Sequence, residues 1–437
     1  MKKYLIDNAM IVPVDDERSP YFKGDLLVEG ERIEKIVERP GAIKPDSDTE
    51  IIDGEDLIVM PGLVNGHGHT AMTLFRGYAD DMPLQEWLEE KIWPIEELLS
   101  AEDIYWGTLL GIAEMIKGGT TTFTDMYFFM DQVAEAAVES GMKAVLSRGL
   151  VGLTDEDGKG LQETEEFINR WHGAERGRIN VTIGPHAPYT CPPEYLKKVM
   201  ALAEKTGRPL QIHLSETRKE VEDSLRQWGF SPPEQLYNMG FFDYPVIAAH
   251  CVHLTERDFY LLKEKNVGVI HNPGSNLKLG SGIASAAGML KEGIRVGLGT
   301  DGAASNNNLD MIEEMRLAAL ISKGASEDPT LIDAAAAMKM ATINGAEILG
   351  LLATGSLREG YKADLVGLRC DRPHLIPMHD PVAHLVYAAQ AADVELVMVE
   401  GEILLEKGEL KTLDEEKIKT EAEKCAFRLK EGIKKKR

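Results

Sequence analysis

Short apolar runs alternate with stretches of helical periodicity through the middle of the chain. Each of eight runs is rich in the aliphatic and β-branched residues that favour strands. The runs are Leu57 to Val64, Thr120 to Thr124, Ala144 to Ser147, Ile179 to Ile183, Leu210 to Leu214, Val246 to Ala249, Val267 to Ile270 and Val296 to Gly299. Alternating strands and helices form parallel sheets, and eight strands close a barrel. The pattern therefore predicts an α/β fold with a (β/α)8 barrel of the TIM type.

Apolar residues recur at helical spacing in several intervals between and after these runs. The expected helices are Asp131 to Ser140, Pro193 to Thr206, Asp310 to Lys323, Leu331 to Leu349 and Asp414 to Lys436. The last helix is charged and amphipathic and is followed by Arg437, and basic residues suit a helix C-terminus. We expect it to be a solvated end without a function of its own.

Both terminal regions predict a β-hairpin. Leu26 to Val28 and Arg32 to Val37 flank one Glu-Gly-Glu turn, and Val394 to Val399 and Ile403 to Leu405 flank another. Two such hairpins can share one small sheet. We therefore expect a discontinuous small domain, a β-sandwich built from residues 1–56 plus 361–437, beside a barrel of residues 57–360.

Composition narrows the range of partners. The chain has 48 Lys plus Arg against 72 Asp plus Glu, a net charge of −24, which repels the phosphate backbone of nucleic acids. No long apolar run indicates a membrane span or a signal peptide, and the four cysteines lack disulfide-type spacing. We expect a cytoplasmic protein with reduced thiols and no nucleic-acid or membrane partner.

Polar side chains follow almost every predicted strand. They are His67 and His69, Asp125, Arg148, His186, His213 with Glu216, His250, Asn272 and Asp301. Catalytic groups of such barrels gather at the C-terminal ends of the strands. A ring of metal-binding and acidic groups is therefore expected at one end of the barrel.

Four of these residues predict a metal site. His67 and His69 are two apart on extended backbone and point the same way, and His213 and Asp301 add a third imidazole and a carboxylate. This set leaves a position open for water, and zinc lowers the pKa of bound water towards about 7. Glu216, three residues after His213, is placed for proton transfer, and His250 for stabilising developing charge.

These residues lie in motifs that together resemble the amidohydrolase superfamily, specifically the 5-methylthioadenosine/S-adenosylhomocysteine deaminases. The motifs are Pro61 to Thr70, Gln211 to Glu216, His250-Cys251, His271 to Asn276, and Gly299 to Asp301. The resemblance spans nearly the whole chain, and Gly355 to Leu357 through Ala363 to Val366 is similar to the superfamily's return to the small β domain. The resemblance to this family also implies that the protein is a homo-oligomer.

The resemblance also implies a metal count and a set of substrate contacts. Superfamily members with two metals have a lysine at the fourth strand end, where this chain has Pro185-His186-Ala187, so one divalent ion, zinc, is expected. Glu96 is expected to bind ribose hydroxyls, and Arg148, His186 and Ser305 match positions at the substrate. The alternatives are a surface helix charge for Glu96 and a structural ion pair for Arg148.

The implied reaction is hydrolytic deamination of an adenosine-type purine to the inosyl product and ammonia. Glu216 would protonate a ring nitrogen, Asp301 would accept the proton of the attacking water, and His250 would hold the tetrahedral intermediate. S-Adenosylhomocysteine and 5'-methylthioadenosine are the expected substrates, with adenosine also open. Rival hypotheses are an aminohydrolase or chlorohydrolase acting on guanine, cytosine, a pterin or a triazine, and a non-catalytic scaffold, which would not need these ligands.

Overall fold

The computed structural model describes residues 2–155 and 157–436. In these ranges the strands are β1 (Lys3–Ile11), β2 (Phe22–Glu29), β3 (Arg32–Val37), β4 (Thr49–Asp53), β5 (Leu57–Pro61), β6 (Leu63–Asn65), β7 (Thr120–Tyr127), β8 (Lys143–Leu150), β9 (Ile179–Val181), β10 (Gly184–Pro185), β11 (Leu210–Leu214), β12 (Val246–His250), β13 (Gly268–His271), β14 (Val296–Leu298), β15 (Leu365–Arg369), β16 (Val394–Val399), β17 (Glu402–Glu406) and β18 (Glu409–Leu410).

The helices fall mostly between the strands of the central part of the chain. They are α1 (Leu84–Trp87), α2 (Trp93–Glu96), α3 (Ala101–Lys117), α4 (Met130–Ser140), α5 (Lys159–Trp171), α6 (Ala174–Gly177), α7 (Pro193–Thr206), α8 (Arg218–Trp228), α9 (Pro232–Asn238), α10 (Glu256–Glu264), α11 (Pro273–Lys278), α12 (Ala286–Lys291), α13 (Met311–Ser326), α14 (Ala334–Ala341), α15 (Ile343–Ile348), α16 (Pro381–Tyr387) and α17 (Glu415–Lys436). A π-helical turn, Leu88–Ile92, joins α1 to α2, and short 3-10 turns span Thr70–Phe75, Phe241–Asp243, Pro373–Leu375 and Ala391–Asp393.

The predicted barrel strands form two all-parallel sheets. One contains β6, β7 and β8, with β9 and β10 both paired to β8, and the other has the order β11-β12-β13-β14. An isolated parallel bridge joins Ile183 to Leu210, and the Gly66 N–H donates to the Leu298 carbonyl at 2.9 Å. The two sheets therefore contact each other at both of their edges.

The predicted run Leu57 to Val64 is two strands rather than one. The chain turns at Gly62, where a Cβ atom would lie 2.1 Å from the Thr121 hydroxyl oxygen, and the Gly62 N–H donates to the Asp364 carbonyl at 3.0 Å. As a result β5 pairs with β15 in a different sheet, while β6 starts the parallel series.

A nine-stranded mixed sheet contains both terminal regions. Its order is β18-β17-β16-β15-β5-β1-β2-β3, with β4 paired to β1, so the two predicted hairpins, β2–β3 and β16–β17, do share one sheet. Their turns touch: a Cβ atom on Gly401, which has φ +75°, would lie 1.8 Å from the Gly30 carbonyl oxygen. Only glycine fits at that approach.

The helices follow the predicted periodicity, with one interruption. Pro193–Thr206 is helical over the predicted range, but Leu331 to Leu349 is split because Thr342, at φ −133° and ψ −97°, leaves helical geometry. The final helix is solvated on one face only, because Ile418, Ala422 and Leu429 are buried as α17 packs against α3. Within the described ranges, no helix combines the length and the apolar character needed to cross a membrane.

Candidate metal and substrate site

Three imidazoles and one carboxylate converge where β6, β11 and β14 end. His69 Nε2 lies 3.3 Å from His213 Nε2 and 3.2 Å from Asp301 Oδ1. Asp301 Oδ1 also lies 3.6 Å from His67 Nε2, and His67 is fully buried. These are the four residues that the sequence predicts as metal ligands, and the fold brings all of them together.

Contacts on the far side of each ligand fix its orientation. His69 Nδ1 lies 2.7 Å from the Met126 carbonyl oxygen, and His213 Nδ1 lies 2.7 Å from the His186 carbonyl oxygen. A carbonyl oxygen accepts a hydrogen bond from Nδ1–H, and in the neutral ring this leaves the Nε2 lone pair free to bind an ion. Asp301 is held in the same way, because its Oδ2 accepts hydrogen bonds from two serine hydroxyls, Ser275 at 2.6 Å and Ser305 at 2.9 Å.

The donor set fits a divalent metal ion. The ligand atoms of His67, His69 and His213 all lie within 4.8 Å of one another, as do those of His67, His250 and Asp301. His67 Nε2 is buried and has no hydrogen-bond partner in the described part of the chain, although a buried polar atom of this kind is expected to have one. Nitrogen and oxygen donors at these separations suit a borderline ion such as zinc.

Electrostatics in the cluster favour a cation. Burial alone would raise the pKa of Asp301, but its contacts with His67 and His69 hold that pKa well below its ordinary value. Burial would likewise lower the pKa of His69, yet Asp301 raises it to about 9. Burial lowers the pKa of His67 to about 4. The ionised Asp301 and the neutral His67 are in the protonation states that bind metal, whereas His69 would release a proton when an ion binds.

Glu216 and His250 lie beside the ligands. Glu216 Oε1 accepts a hydrogen bond from the Ser281 hydroxyl at 3.3 Å, and its Oε2 lies 3.9 Å from His250 Nε2. His250 Nδ1 lies 2.9 Å from the Asn276 side-chain oxygen. Burial raises the pKa of Glu216 and brings it closer to neutrality, which suits a group that both gives and takes protons.

A cavity of about 570 Å³ opens above this cluster. Its wall is largely apolar, with Trp87, Ile92 and Trp93 on one side, a size and character typical of small-molecule sites. Glu96 also lines it and accepts a hydrogen bond from the Tyr127 hydroxyl at 2.6 Å. Burial raises the pKa of Glu96 to about 7, although that hydrogen bond opposes the rise.

The other predicted substrate contacts lie in different positions. His186 and Ser305 both line the cavity. Arg148 lies near the C-terminal end of β8 and is not among the described residues that line the cavity. Its guanidinium donates to Glu163 at 2.8 Å and to the Gly149 carbonyl. The structural ion pair considered above for Arg148 is thus present.

Two supporting residues are absent from the sequence-based prediction. Tyr127 lies two residues after Asp125 on β7, so the two side chains point to the same face of the sheet, and that alternation was the available signal. Gln211, two residues before His213 on β11, is buried with its Nε2 3.3 Å from His67 Nδ1. A polar residue inside an apolar strand was the signal there.

Known proteins are similar to this chain over most of its length. The sequence profile of the Amidohydrolase family matches residues 58–404. The chain is 51% identical over 435 residues to the 5-methylthioadenosine/S-adenosylhomocysteine deaminase of Desulforudis audaxviator, covering 99% of this chain and 100% of that one. It is 56% identical over 379 residues to the protein of the same name from Dictyoglomus thermophilum, covering 87% and 89%. The chain belongs to this deaminase family of the amidohydrolases.

Solved structures agree with that assignment. An adenosine deaminase from Xanthomonas campestris with bound zinc superposes with a TM-score of 0.93 at 34% identity, covering 98% of both chains. An atrazine chlorohydrolase from Arthrobacter aurescens, complexed with zinc, superposes with a TM-score of 0.90 at 25% identity, covering 97% of this chain and all of the other. The predicted family and the predicted enzyme class, a hydrolytic deaminase, are confirmed.

Proposed function

We propose that this amidohydrolase deaminates S-adenosylhomocysteine, 5'-methylthioadenosine or both, giving the inosyl product and ammonia. The observation that carries the proposal is the placement of Glu216 beside the imidazole and carboxylate cluster, at the base of a cavity that also contains Glu96. The names of the relatives support the same substrates. Adenosine, which lacks a sulfur substituent, is a further candidate substrate.

We propose that one divalent ion, zinc, is held by His67, His69, His213 and Asp301. When bound, such an ion acidifies water so that hydrolysis proceeds at neutral pH. Zinc in two structural relatives supports this choice of metal. The fourth parallel strand ends in Pro185-His186-Ala187 and offers no lysine for a bridging group, which supports a single ion.

The residues around the ligands would move the protons. Water adds at C6 of the adenine ring while Glu216 gives a proton to a ring nitrogen, and Asp301 takes the proton that the water loses. Asp301 then passes that proton to the amino group, which leaves as ammonia, while Glu216, buried with a raised pKa, takes the proton of the C6 hydroxyl as the carbonyl forms. His250, held by Asn276, would hydrogen-bond to the oxygen that develops charge at C6.

The upper part of the cavity would bind the nucleoside. We assign the ribose hydroxyls to Glu96, because a carboxylate accepts two hydrogen bonds from a vicinal diol. His186 and Ser305 would contact the purine from the opposite wall. A contact between Arg148 and the substrate stays a prediction. To make this contact, the guanidinium would have to release Glu163.

We propose that the chain forms two domains. The contacts at both edges of the parallel sheets support closure into one (β/α)8 barrel, residues 57–360, and the mixed sheet supports a small composite β-sandwich domain, residues 1–56 plus 361–437. Because β5 pairs in the mixed sheet, we expect the barrel to begin at β6.

The acidic charge supports a lack of nucleic-acid binding. We also propose a homo-oligomer in the cytoplasm.

The test of function is a substrate panel. Purified protein would be followed by ultraviolet absorbance and ammonia release with S-adenosylhomocysteine, 5'-methylthioadenosine, adenosine, guanine, cytosine and atrazine. We expect turnover of the adenosine compounds only, loss of turnover after chelation, and recovery with one equivalent of zinc. Turnover of guanine, cytosine or atrazine alone would overturn the nucleoside assignment and favour a relative such as the chlorohydrolase.

A further inference from the structure

Glu220 is a buried carboxylate whose two oxygens both serve the segment that carries Glu216. Its Oε1 accepts the Ser215 N–H at 2.9 Å, and its Oε2 accepts the Glu216 N–H at 2.8 Å. The side chain is buried, and among the described residues no Lys, Arg or His forms an ion pair with it. A buried carboxylate without a cation is costly, so the two backbone donors are its compensation.

The segment held by Glu220 is not regular structure. β11 ends at Leu214 and α8 begins at Arg218, and between them Ser215 has φ +50°, the left-handed region that favours glycine. A non-glycine residue in this region is strained and persists only where its surroundings hold it. The contacts from Glu220 supply such a constraint, directly at the peptide that sets the direction of Glu216.

The same segment is tied to the turn that follows His250. The Ser215 carbonyl accepts the N–H groups of Val252 at 3.1 Å and His253 at 2.9 Å. His250 itself has φ +71°, again left-handed. Fixing Ser215 therefore also fixes the backbone on which His250 lies.

This arrangement differs from ordinary helix capping. Thr217 is the N-cap of α8 and accepts the Glu220 N–H at 3.2 Å. In a capping box the glutamate side chain at this position would accept a hydrogen bond from the N–H of the cap residue itself. Glu220 reaches past Thr217 to the two residues before it, so its carboxylate stabilises the catalytic turn rather than the first turn of the helix.

We propose that Glu220 is a positioning residue for deamination, which holds the Glu216 carboxylate between Ser281 and His250 through the Ser215 and Glu216 peptides. It is not part of the cavity lining and so acts through Glu216 rather than on the substrate. The inference rests on the deaminase function proposed above.

The first variant is Glu220→Gln. A glutamine amide has one oxygen and one NH2 group, so it can keep one backbone donor but must turn an N–H donor towards the other. We expect kcat to fall by roughly 10- to 100-fold, because a displacement of about 1 Å can cost that much, while KM and metal content stay within about threefold of wild type. Glu222→Gln is the matched control, because Glu222 lies on the same helix and is exposed.

A double-mutant cycle separates positioning from a general structural role. If Glu220 acts through Glu216, E216Q and E216Q/E220Q will have the same residual kcat, because no carboxylate remains to be positioned. If the two losses multiply, Glu220 acts independently and the proposal is wrong.

Amide hydrogen exchange gives a readout that needs neither metal nor turnover. In the metal-free protein, mass spectrometry of a peptide spanning residues 214–217 should show faster exchange in E220Q but not in E222Q. Unchanged exchange in E220Q, or kcat within twofold of wild type, overturns the proposal. Failure of both E220Q and Glu220→Asp to fold at the assay temperature also overturns it, because the carboxylate would then support the fold. An inactive wild-type protein would instead refute the proposed function, and the exchange result would still decide the role of Glu220.

Discussion

The surroundings of Glu96 in the cavity bring the pKa of its carboxyl group into the physiological pH range. Burial raises its pKa to about 7, against the opposing hydrogen bond from the Tyr127 hydroxyl. The ionised carboxylate accepts hydrogen bonds at both oxygens, whereas the protonated acid has an O–H that competes for the same positions. Binding of a ribose diol should therefore require the ionised form.

The first consequence is a pH-dependent KM. Above pH 7 Glu96 is ionised, and as the pH falls below the pKa of about 7 the binding-competent fraction drops. We expect KM for 5'-methylthioadenosine to rise by roughly tenfold between pH 8 and pH 6, since one pH unit below a pKa leaves about a tenth of the group ionised. Initial rates across this range, with kcat and KM fitted separately, provide the measurement.

Glu96→Gln is the control for this assignment. The glutamine side chain does not titrate, so KM in the variant should be raised and nearly constant between pH 6 and pH 8. An unchanged pH dependence of KM in E96Q would show that another group is responsible.

Among single residues, the side chains of the candidate metal site are predictable from sequence, whereas the carboxylate that supports Glu216 is not. The predicted ligands have side chains that are rare in apolar strands, and they lie where parallel strands end: His67, His69, His213 and Asp301. Glu220 lies in the charged sequence of an ordinary amphipathic helix, and nothing in that pattern distinguishes it from the exposed Glu222. Only the folded turn at Ser215 gives its carboxylate two backbone donors.

At the scale of elements, the sequence predicts the strands better than the breaks within them. Each of the eight predicted runs overlaps a parallel strand. The break at Gly62 was not predicted, because it depends on Thr121 packing against the glycine from another strand. The break at Thr342 was not predicted either, since the alanine-rich sequence before it and the sequence of α15 after it together keep helical periodicity.

Close packing between strand ends predicts the effect of Gly299→Ala. Gly299 follows β14, and a Cβ atom there would lie 2.7 Å from the His67 backbone nitrogen and 2.7 Å from the Asn272 side-chain oxygen. The first atom belongs to the backbone of His67, and Gly299 lies two residues before Asp301, so relief of this contact would displace predicted metal ligands. We expect the variant to lose most of its bound metal and about 1–3 kcal/mol of stability, measured by metal analysis and thermal unfolding.

Gly324→Ala is the matched control. Gly324 lies inside α13, and a Cβ atom there would have no neighbour within 4 Å. An alanine in a helix interior is about 0.5–1 kcal/mol better than glycine, so this variant should keep its metal and unfold at a slightly higher temperature. Equal metal content in G299A and G324A would contradict the packing argument.

At the scale of the whole molecule, the two ends of the parallel strands have different roles. The predicted metal ligands and the acids beside them lie at the C-terminal ends, and a buried ion-pair network lies at the N-terminal ends. Lys143, the first residue of β8, lies 2.5 Å from Asp364 and 3.3 Å from Glu400, and all three side chains are at most 6% exposed. Arg178, just before β9, also contacts Glu400. These contacts join the parallel sheets to the mixed sheet.

This division predicts that Lys143→Met will reduce stability without changing catalysis. Among the described residues, the substitution leaves Asp364 with hydrogen bonds from the Thr354 hydroxyl and the Glu400 N–H but with no cation. Glu400 keeps Arg178 and Lys362 as its cations. Removing one partner of a buried pair costs about 3–5 kcal/mol. We expect a clearly lower unfolding temperature, but kcat and KM of the folded protein near wild type, because the network lies at the opposite end of the strands from Glu216.

Lys197→Met is the control, because the pair of Lys197 with Glu194 on α7 is exposed, at 59% and 81%. Exposed pairs contribute about 0–1 kcal/mol, so its unfolding temperature should hardly change. If K143M unfolds like wild type, the network does not hold the two sheets together. If it instead loses kcat while remaining stable, the junction between the sheets is coupled to the catalytic end, and the two ends of the molecule do not act separately.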